Sequence, residues 1–470
     1  MIIGAKAEAS AVPAAYNTAY TWTISLVAAL GGLLFGYDWV VIGGAKPFYE
    51  KFFHLLEAWQ QGWAMSCALI GCLAGALISG GLSDRFGRKR LLTVAAFLFA
   101  ASSLGTATAN TFSQFVLWRI TGGIAIGLAS NLSPMYIAEI SPPQVRGKLV
   151  SLNQLTIVIG ILQAQFLNWV IAKPVLPGAT ALDILISWNG QVGWRWMFGV
   201  TAVPAILFFV GMFAVPESPR WLAKNDQPQQ ARHVLARVGG EVYSAQALAE
   251  IEASLSNDLG KGNFRNLLNP RAFRILSLAI VLAVFQQWCG INVIFNYAEE
   301  VFSAAGYNVS DILFNIVVTG AVNLVFTFVA ISTVDKAGRR LLMLIGSAGL
   351  AAIYTLLGAG YRAGSQGFHM LLLVVAAIAC YAMSLAPVTW VVISEIFPNR
   401  IRAAGMSVAV TSLWMASFIL TYTFPLLNRD LGPAGTFWIY AAICVSGFVF
   451  IRFRLRETKG KTLEEIERYM

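Results

Sequence analysis

Two charged side chains stand where an apolar chain holds charge only at a cost. Asp38 is the one charge between Ile24 and Val41, a stretch that includes Gly31-Gly32-Leu33-Leu34-Phe35-Gly36-Tyr37-Asp38. At ~1.5 Å per residue that stretch reaches roughly 27 Å, the hydrocarbon thickness of a bilayer. A carboxylate at such depth is read as a working group. A snorkelling acid at a helix end is the alternative, and the flanking glycines, which permit close helix approach and bends, count against it. Arg119, in Trp118-Arg119-Ile120-Thr121-Gly122-Gly123, is the intramembrane cation that can answer Asp38. Burial and an adjacent guanidinium pull a carboxylate's proton affinity in opposite directions. A site that changes its Arg contact or its water access between two states therefore takes up and releases a proton; a static structural ion pair is the competing reading.

A second set of residues is neutral but equally out of place. Gln154, Gln286, Gln287, Asn292 and Asn323 lie in apolar segments, as do Trp390 and Trp414. Buried amides need hydrogen-bond partners, supplied by neighbouring helices or by a ligand. Gly290 follows Gln286-Gln287 closely and interrupts that segment, which opens backbone toward a cavity.

The elements that must position these groups are membrane helices. The 470 residues are 57% hydrophobic and 12% charged, with mean hydropathy +0.67, against about a quarter charged in soluble domains. Apolar windows fall at about 22–44, 58–83, 91–109, 112–140, 147–171, 192–215, 272–300, 311–334, 340–361, 367–394, 403–427 and 434–453. Their length and continuity exclude a membrane β-barrel. Of 33 Lys and Arg, 26 fall on the side of the two termini, and six (Lys46, Lys51, Lys173, Arg195, Arg362, Arg429) fall on the other. That bias places both termini in the cytoplasm and accounts for the net charge of +10 without nucleic acid. Cys67, Cys72, Cys289, Cys380 and Cys444 all lie in apolar windows and read as packing residues, neither disulfides nor metal ligands. No cleavable signal is evident, and the span bearing Asp38 is expected to be retained.

The long polar stretch 217–271 carries helical spacing at Ala231, Val234, Leu235 and Val238, and again at Leu248, Ile251 and Leu255. Thr462 and Glu465 form a capping box ahead of Leu463, Ile466 and Tyr469. The expected organisation is a tail at 1–21, a six-helix bundle at 22–216, a cytoplasmic helical linker at 217–271, a second bundle at 272–454 and a tail at 455–470.

The halves repeat. Asp84-Arg85-Phe86-Gly87-Arg88-Lys89 is echoed by Asp335-Lys336-Ala337-Gly338-Arg339-Arg340, 251 positions later. Glu139 through Arg146 is echoed by Glu395 through Arg402, and Glu217-Ser218-Pro219-Arg220 by Glu457-Thr458-Lys459-Gly460. Three motifs in the same order on the same side mean a duplicated six-helix unit, with a substrate site between the halves. Asp84 with Arg88, Glu139 with Arg146, and Glu395 with Arg402 can bridge helix ends there. Such a network suits a latch made when the cytoplasmic side closes and broken when it opens; positive-inside anchoring alone requires neither the acids nor the spacing.

Together these motifs, with Gln286-Gln287, Gly290-Ile291-Asn292 and Pro216-Glu217-Ser218-Pro219-Arg220, resemble the major facilitator superfamily and, within it, the sugar porter family. The resemblance covers nearly the whole chain; Arg456 departs where the family usually has Pro. It implies an all-α integral membrane fold of twelve helices in two pseudo-symmetric bundles, with a small cytoplasmic helical layer. It implies sugar contacts at Gln154, Gln286, Gln287, Asn292, Asn323, Trp390 and Trp414, with Phe35 and Tyr297 lining the cavity. It implies that Asp38 accepts the proton and Arg119 gates it, and that Arg85, Arg220, Arg340 and Glu457 join the gate charges. In facilitative relatives Asn replaces the acid. Ile161 stands where relatives carry a second glutamine, Leu413 precedes Trp414 where relatives have Gln or Asn, and Ser384-Leu385-Ala386-Pro387 replaces a glycine-rich approach to Trp390. Fewer hydrogen bonds are expected on those sides.

The expected function is proton-coupled monosaccharide import by alternating access, in a monomer of the plasma (inner) membrane with no cofactor. A facilitative uniporter and a non-transporting sugar sensor are the alternatives; the short stretch after the last span disfavours the sensor. No P-loop, HExxH or CxxC pattern is present, so no enzyme activity is expected, and His54, His233 and His369 read as surface residues.

Overall fold

The computed structural model describes residues 16–176, 178–257, 267, 269–398 and 401–457. Among these, eleven segments are long and apolar enough to cross a membrane. The longest, Ala404–Arg454, bends at Gly432 (φ 67°) and supplies two helices, making twelve. In the first half these are α1 (Thr18–Phe52), α2 (Ala58–Phe86), α3 (Arg88–Thr108), α4 (Phe112–Ile140), α5 (Arg146–Ile171) and α6 (Asn189–Ala214). In the second they are α7 (270–304, in three pieces), α8 (Val309–Ala337), α9 (Arg339–Arg362), α10 (Phe368–Ile396), α11 (402–431) and α12 (433–454). Outward faces carry large apolar side chains such as Phe97, Leu104, Leu207 and Phe213, all more than half exposed, as a lipid-facing surface requires.

Small residues set the packing inside each half. A Cβ at Gly36 of α1 would strike the Ile157 carbonyl of α5, and one at Gly160 of α5 would strike the Leu33 carbonyl. Backbones this close gain dispersion contacts, which drive helix association where lipid removes the hydrophobic incentive. The halves meet through α1 with α7, α2 with α11, and α5 with α8.

The duplication shows in the turns. Gly87 between α2 and α3 has φ 96°, and Gly338 between α8 and α9 has φ 93°. Each turn is capped by a distant acid. Glu217 accepts the backbone N–H groups of Arg88 (2.9 Å) and Lys89 (3.0 Å); Glu457 accepts those of Arg339 (2.9 Å) and Arg340 (3.0 Å). The acids neutralise the positive N-terminal ends of α3 and α9.

The stretch after α6 is helical at Pro219–Lys224 and Pro228–Asn257, the latter kinked at Gly239 and Gly240. Ala231, Val234, Leu235 and Val238 are buried together on its inner face. The capping box at Thr462 lies outside the described residues. One boundary differs from hydropathy. The first window ends near 44, yet α1 continues to Phe52 and carries Lys46, Pro47 and Glu50 inside it, all buried. Their charges are satisfied by one another and by α7, so the helix goes on where a hydropathy window stops.

Candidate functional site

The pair that opens the sequence argument is made. Arg119 Nη1 donates to Asp38 Oδ1 at 2.7 Å and Nη2 to the Asp38 carbonyl at 3.3 Å. The side chains are 4% and 6% exposed, and the guanidinium lies 5.4 Å from the Phe198 ring centroid. Two polar atoms stay without a partner among the described residues, Asp38 Oδ2 and Arg119 Nε. Beside the pair is a cavity of about 10 Å³, lined among others by Trp39, Cys72, Ile126 and Asn296. That is room for about one water molecule. Asn296 comes from the second half, so this cavity has walls from both.

The amides gather around the break in α7. The helix runs Pro270–Trp288, stops, and resumes at Ile291–Asn296 and Ala298–Ala304. Gly290 adopts φ 87°, a left-handed conformation that L side chains rarely take. Gln287 Nε2 donates to Gln286 Oε1 at 3.1 Å, and Asn292 Nδ2 donates to Gln287 Oε1 at 2.5 Å. All three are buried. Tyr297, also buried, donates its hydroxyl to the Thr421 carbonyl at 2.6 Å and packs against the Phe424 ring at 4.4 Å in a tilted arrangement. Asn323 of α8 is buried, Trp390 of α10 is half-buried and Gln154 of α5 is exposed. Phe35 and Trp39 of α1 form a three-ring cluster with Trp414 of α11, centroids 5.9 to 6.0 Å apart, so aromatics from both halves meet. Trp39 was not singled out by the sequence; its place next to Asp38 was the available signal.

On the termini side the described ion pairs join helices of one half. Arg88 makes a two-pronged pair with Glu139 (3.0 and 3.0 Å) and also meets Asp84 at 3.2 Å. Glu139 further accepts from Ser218 Oγ. Arg339 reaches Glu395 at 3.3 Å in the same place of the second half. Arg146 is exposed, and Arg402 donates to the Phe397 carbonyl (3.1 and 3.2 Å). Arg340 donates to the Arg452 carbonyl, Arg85 lies over the Phe86 ring, and Arg220 sits in the short helix after Ser218. The Asp335 side chain lies outside the described residues.

The opposite face carries an ion cluster that crosses the halves. Lys46 of α1 meets Glu50 at 3.1 Å on its own helix, and Glu299 and Glu300 of α7 at 3.3 and 2.6 Å. Lys46 and Glu50 are 3% and 5% exposed. Nearby, the virtual Cβ of Gly43 lies 2.8 Å from the Phe295 carbonyl, and one at Gly62 of α2 would strike the Tyr422 carbonyl of α11. This face is therefore shut by backbone contact and by charge.

Two bundles of six helices, paired intramembrane charges and a broken helix rich in amides define a polytopic carrier. The chain belongs to the sugar (and other) transporter family, matched over residues 24–470. It is 39% identical to the D-xylose-proton symporter of Escherichia coli (strain K12), with 96% of each chain covered. It is 38% identical to the arabinose-proton symporter of Bacillus subtilis (strain 168), covering 97% of this chain and 96% of that one. The inward open structure of the xylose transporter XylE from E. coli superposes with a TM-score of 0.84 at 37% identity, covering 96% of this chain and all of the other.

Proposed function

We propose that this protein is a proton-coupled monosaccharide symporter that imports its sugar by alternating access. The observation that carries the reading is the buried Asp38–Arg119 pair, whose residues line a water-sized cavity and whose Asp38 Oδ2 has no partner among the described residues. A purely structural pair has no need of that oxygen or of the void. The amides Gln286, Gln287 and Asn292 supply donors and acceptors suited to sugar hydroxyls, and Trp414, Trp390 and Phe35 supply faces for the ring. Relatives named as xylose- and arabinose-proton symporters support a pentose or a related hexose as cargo. Both termini face the cytoplasm in this reading, so the face shut by Lys46 is extracellular and the captured state is closed to the outside. The protein works as a monomer in the inner membrane. Its drive is ample: one charge moved through ~100 mV is worth about 2.3 kcal/mol.

The test is uptake into liposomes under an imposed inward proton gradient. The wild type accumulates labelled sugar above equilibrium. Asp38→Asn keeps exchange but loses accumulation, because the amide holds its place beside Arg119 without a titratable proton. If both proteins merely equilibrate sugar, the pair is structural and the protein is a uniporter.

A further inference from the structure

Gln165 of α5 is 1% exposed, and among the described residues neither its amide oxygen nor its amide nitrogen has a partner. A fully buried, wholly unpaired amide is a liability unless something else satisfies it. Its position suggests what. Gln165 follows Gln154 by eleven residues, three turns, which returns it to within about 20° of the same helix face. Its oxygen points across the seam between the halves: a Cβ at Gly320 of α8 would strike Gln165 Oε1. Gly320 is one turn before Asn323 on that helix. Two more buried amide atoms without partners come from the second half, Asn315 Nδ2 of α8 and Asn296 Oδ1 of α7.

We propose that Gln165 is a sugar-contacting residue that sets specificity, reaching the sugar with its amide across the seam between the halves. The assignment rests on the sugar-transport reading above. An amide with both ends free matches a pair of adjacent hydroxyls, one donating to Oε1 and the other accepting from Nε2. The ligand class is a vicinal diol of a monosaccharide. The missing side chain at Gly320 leaves the amide room to reach across the seam. The amide is buried without a partner among the described residues, so a sugar that reaches it adds two hydrogen bonds at once.

The experiment measures binding to the purified full-length protein by tryptophan fluorescence. Probes are D-xylose and D-glucose with their monodeoxy derivatives at each hydroxyl. In the wild type, removal of either of the two adjacent hydroxyls that meet Gln165 weakens binding about tenfold, the worth of one hydrogen bond. Gln165→Leu binds the parent sugar about a hundredfold more weakly and no longer distinguishes it from the two deoxy sugars lacking those hydroxyls, while discrimination at other positions persists. Gln165→Asn, which keeps the amide one methylene shorter, gives an intermediate profile and stands in if the leucine variant does not fold. A variant that loses affinity equally for every sugar, or keeps the wild-type pattern, overturns the assignment and makes Gln165 a packing residue of the seam. A wild type that binds none of the probes overturns the sugar reading itself, which is a different result.

Discussion

Among the described residues Lys46 is the one cation of a site that holds three carboxylates, and Lys46→Met removes it. In the closed structure the ammonium touches Glu50, Glu299 and Glu300 within 3.3 Å. Taking one partner out of a buried ion pair costs about 3–5 kcal/mol. Glu299 and Glu300 are 22% exposed, which screens part of the repulsion left behind, so the lower end applies, about 3 kcal/mol. At 1.4 kcal/mol per decade that is about a hundredfold in an equilibrium constant. The cost falls on the state in which α1 and α7 meet, because Lys46 stands on one half and Glu299 and Glu300 on the other. The end states of a carrier differ by only a few kcal/mol, so a shift of this size inverts their populations. The assay is the distance between spin labels at Leu56→Cys and Leu431→Cys, 84% and 50% exposed at the two sides of this face. The native cysteines are buried or half-buried and label poorly. Lys46→Met should move the distance distribution to longer values and lower the maximal uptake rate. Adding Glu300→Gln should restore part of the closed population, since it removes charge that the lysine no longer offsets. A distribution in Lys46→Met identical to the wild type would refute the argument that this cluster holds the face shut.

Two smaller perturbations test other links. Asn292→Ala breaks the amide chain at its 2.5 Å bond to Gln287 and leaves Gln287 Oε1 buried without that donor; sugar binding should weaken about ten- to a hundredfold by fluorescence titration, with exchange at saturating sugar largely kept. Gly36→Val drives a side chain into the Ile157 carbonyl of α5, so the melting temperature in detergent should fall by several degrees, as about 1–3 kcal/mol of overpacking demands, whatever sugar is present.

What the sequence made legible follows from what is expensive in a membrane. Asp38 and Arg119 stood out because charge at that depth is costly, and Gln286, Gln287 and Asn292 because amides are. Gly290 stood out because it sits among them. The repeat was readable because the same turn recurs at Gly87 and Gly338. Lys46 falls past the end of the first apolar window for the converse reason. A hydropathy window scores a lysine as an end, and the acids that make it a helix interior residue lie some 250 positions away. The spacing of Lys46 and Glu50, one turn apart, was the local hint. Glu139 was matched with Arg146, near it in sequence, whereas the structure gives it Arg88: the end of α4 lies against the start of α3, which only tertiary packing decides. Gln165 hid among polar residues of α5, and its eleven-residue step from Gln154 carries meaning only once Gly320 is seen opposite.

The two charge groups differ in a way that bears on coupling. Rocking of one rigid half against the other separates groups on different halves and leaves groups on one half together. Lys46 and Glu300 belong to different halves, so opening must break their pair. Asp38 and Arg119 both belong to the first half, so opening need not touch theirs. What opening does change at Asp38 is its wall, because Asn296 of the second half lines the cavity beside it. In the proposed symport cycle, then, the state change alters water access to Asp38 Oδ2 rather than the distance to Arg119. The same α7 segment, Ile291–Asn296, begins at the Gly290 break and carries Asn292. In that proposed cycle, sugar held at Asn292 and water admitted past Asn296 both depend on the position of one short helix, which would give sugar and proton a shared mechanical element without direct contact between their sites.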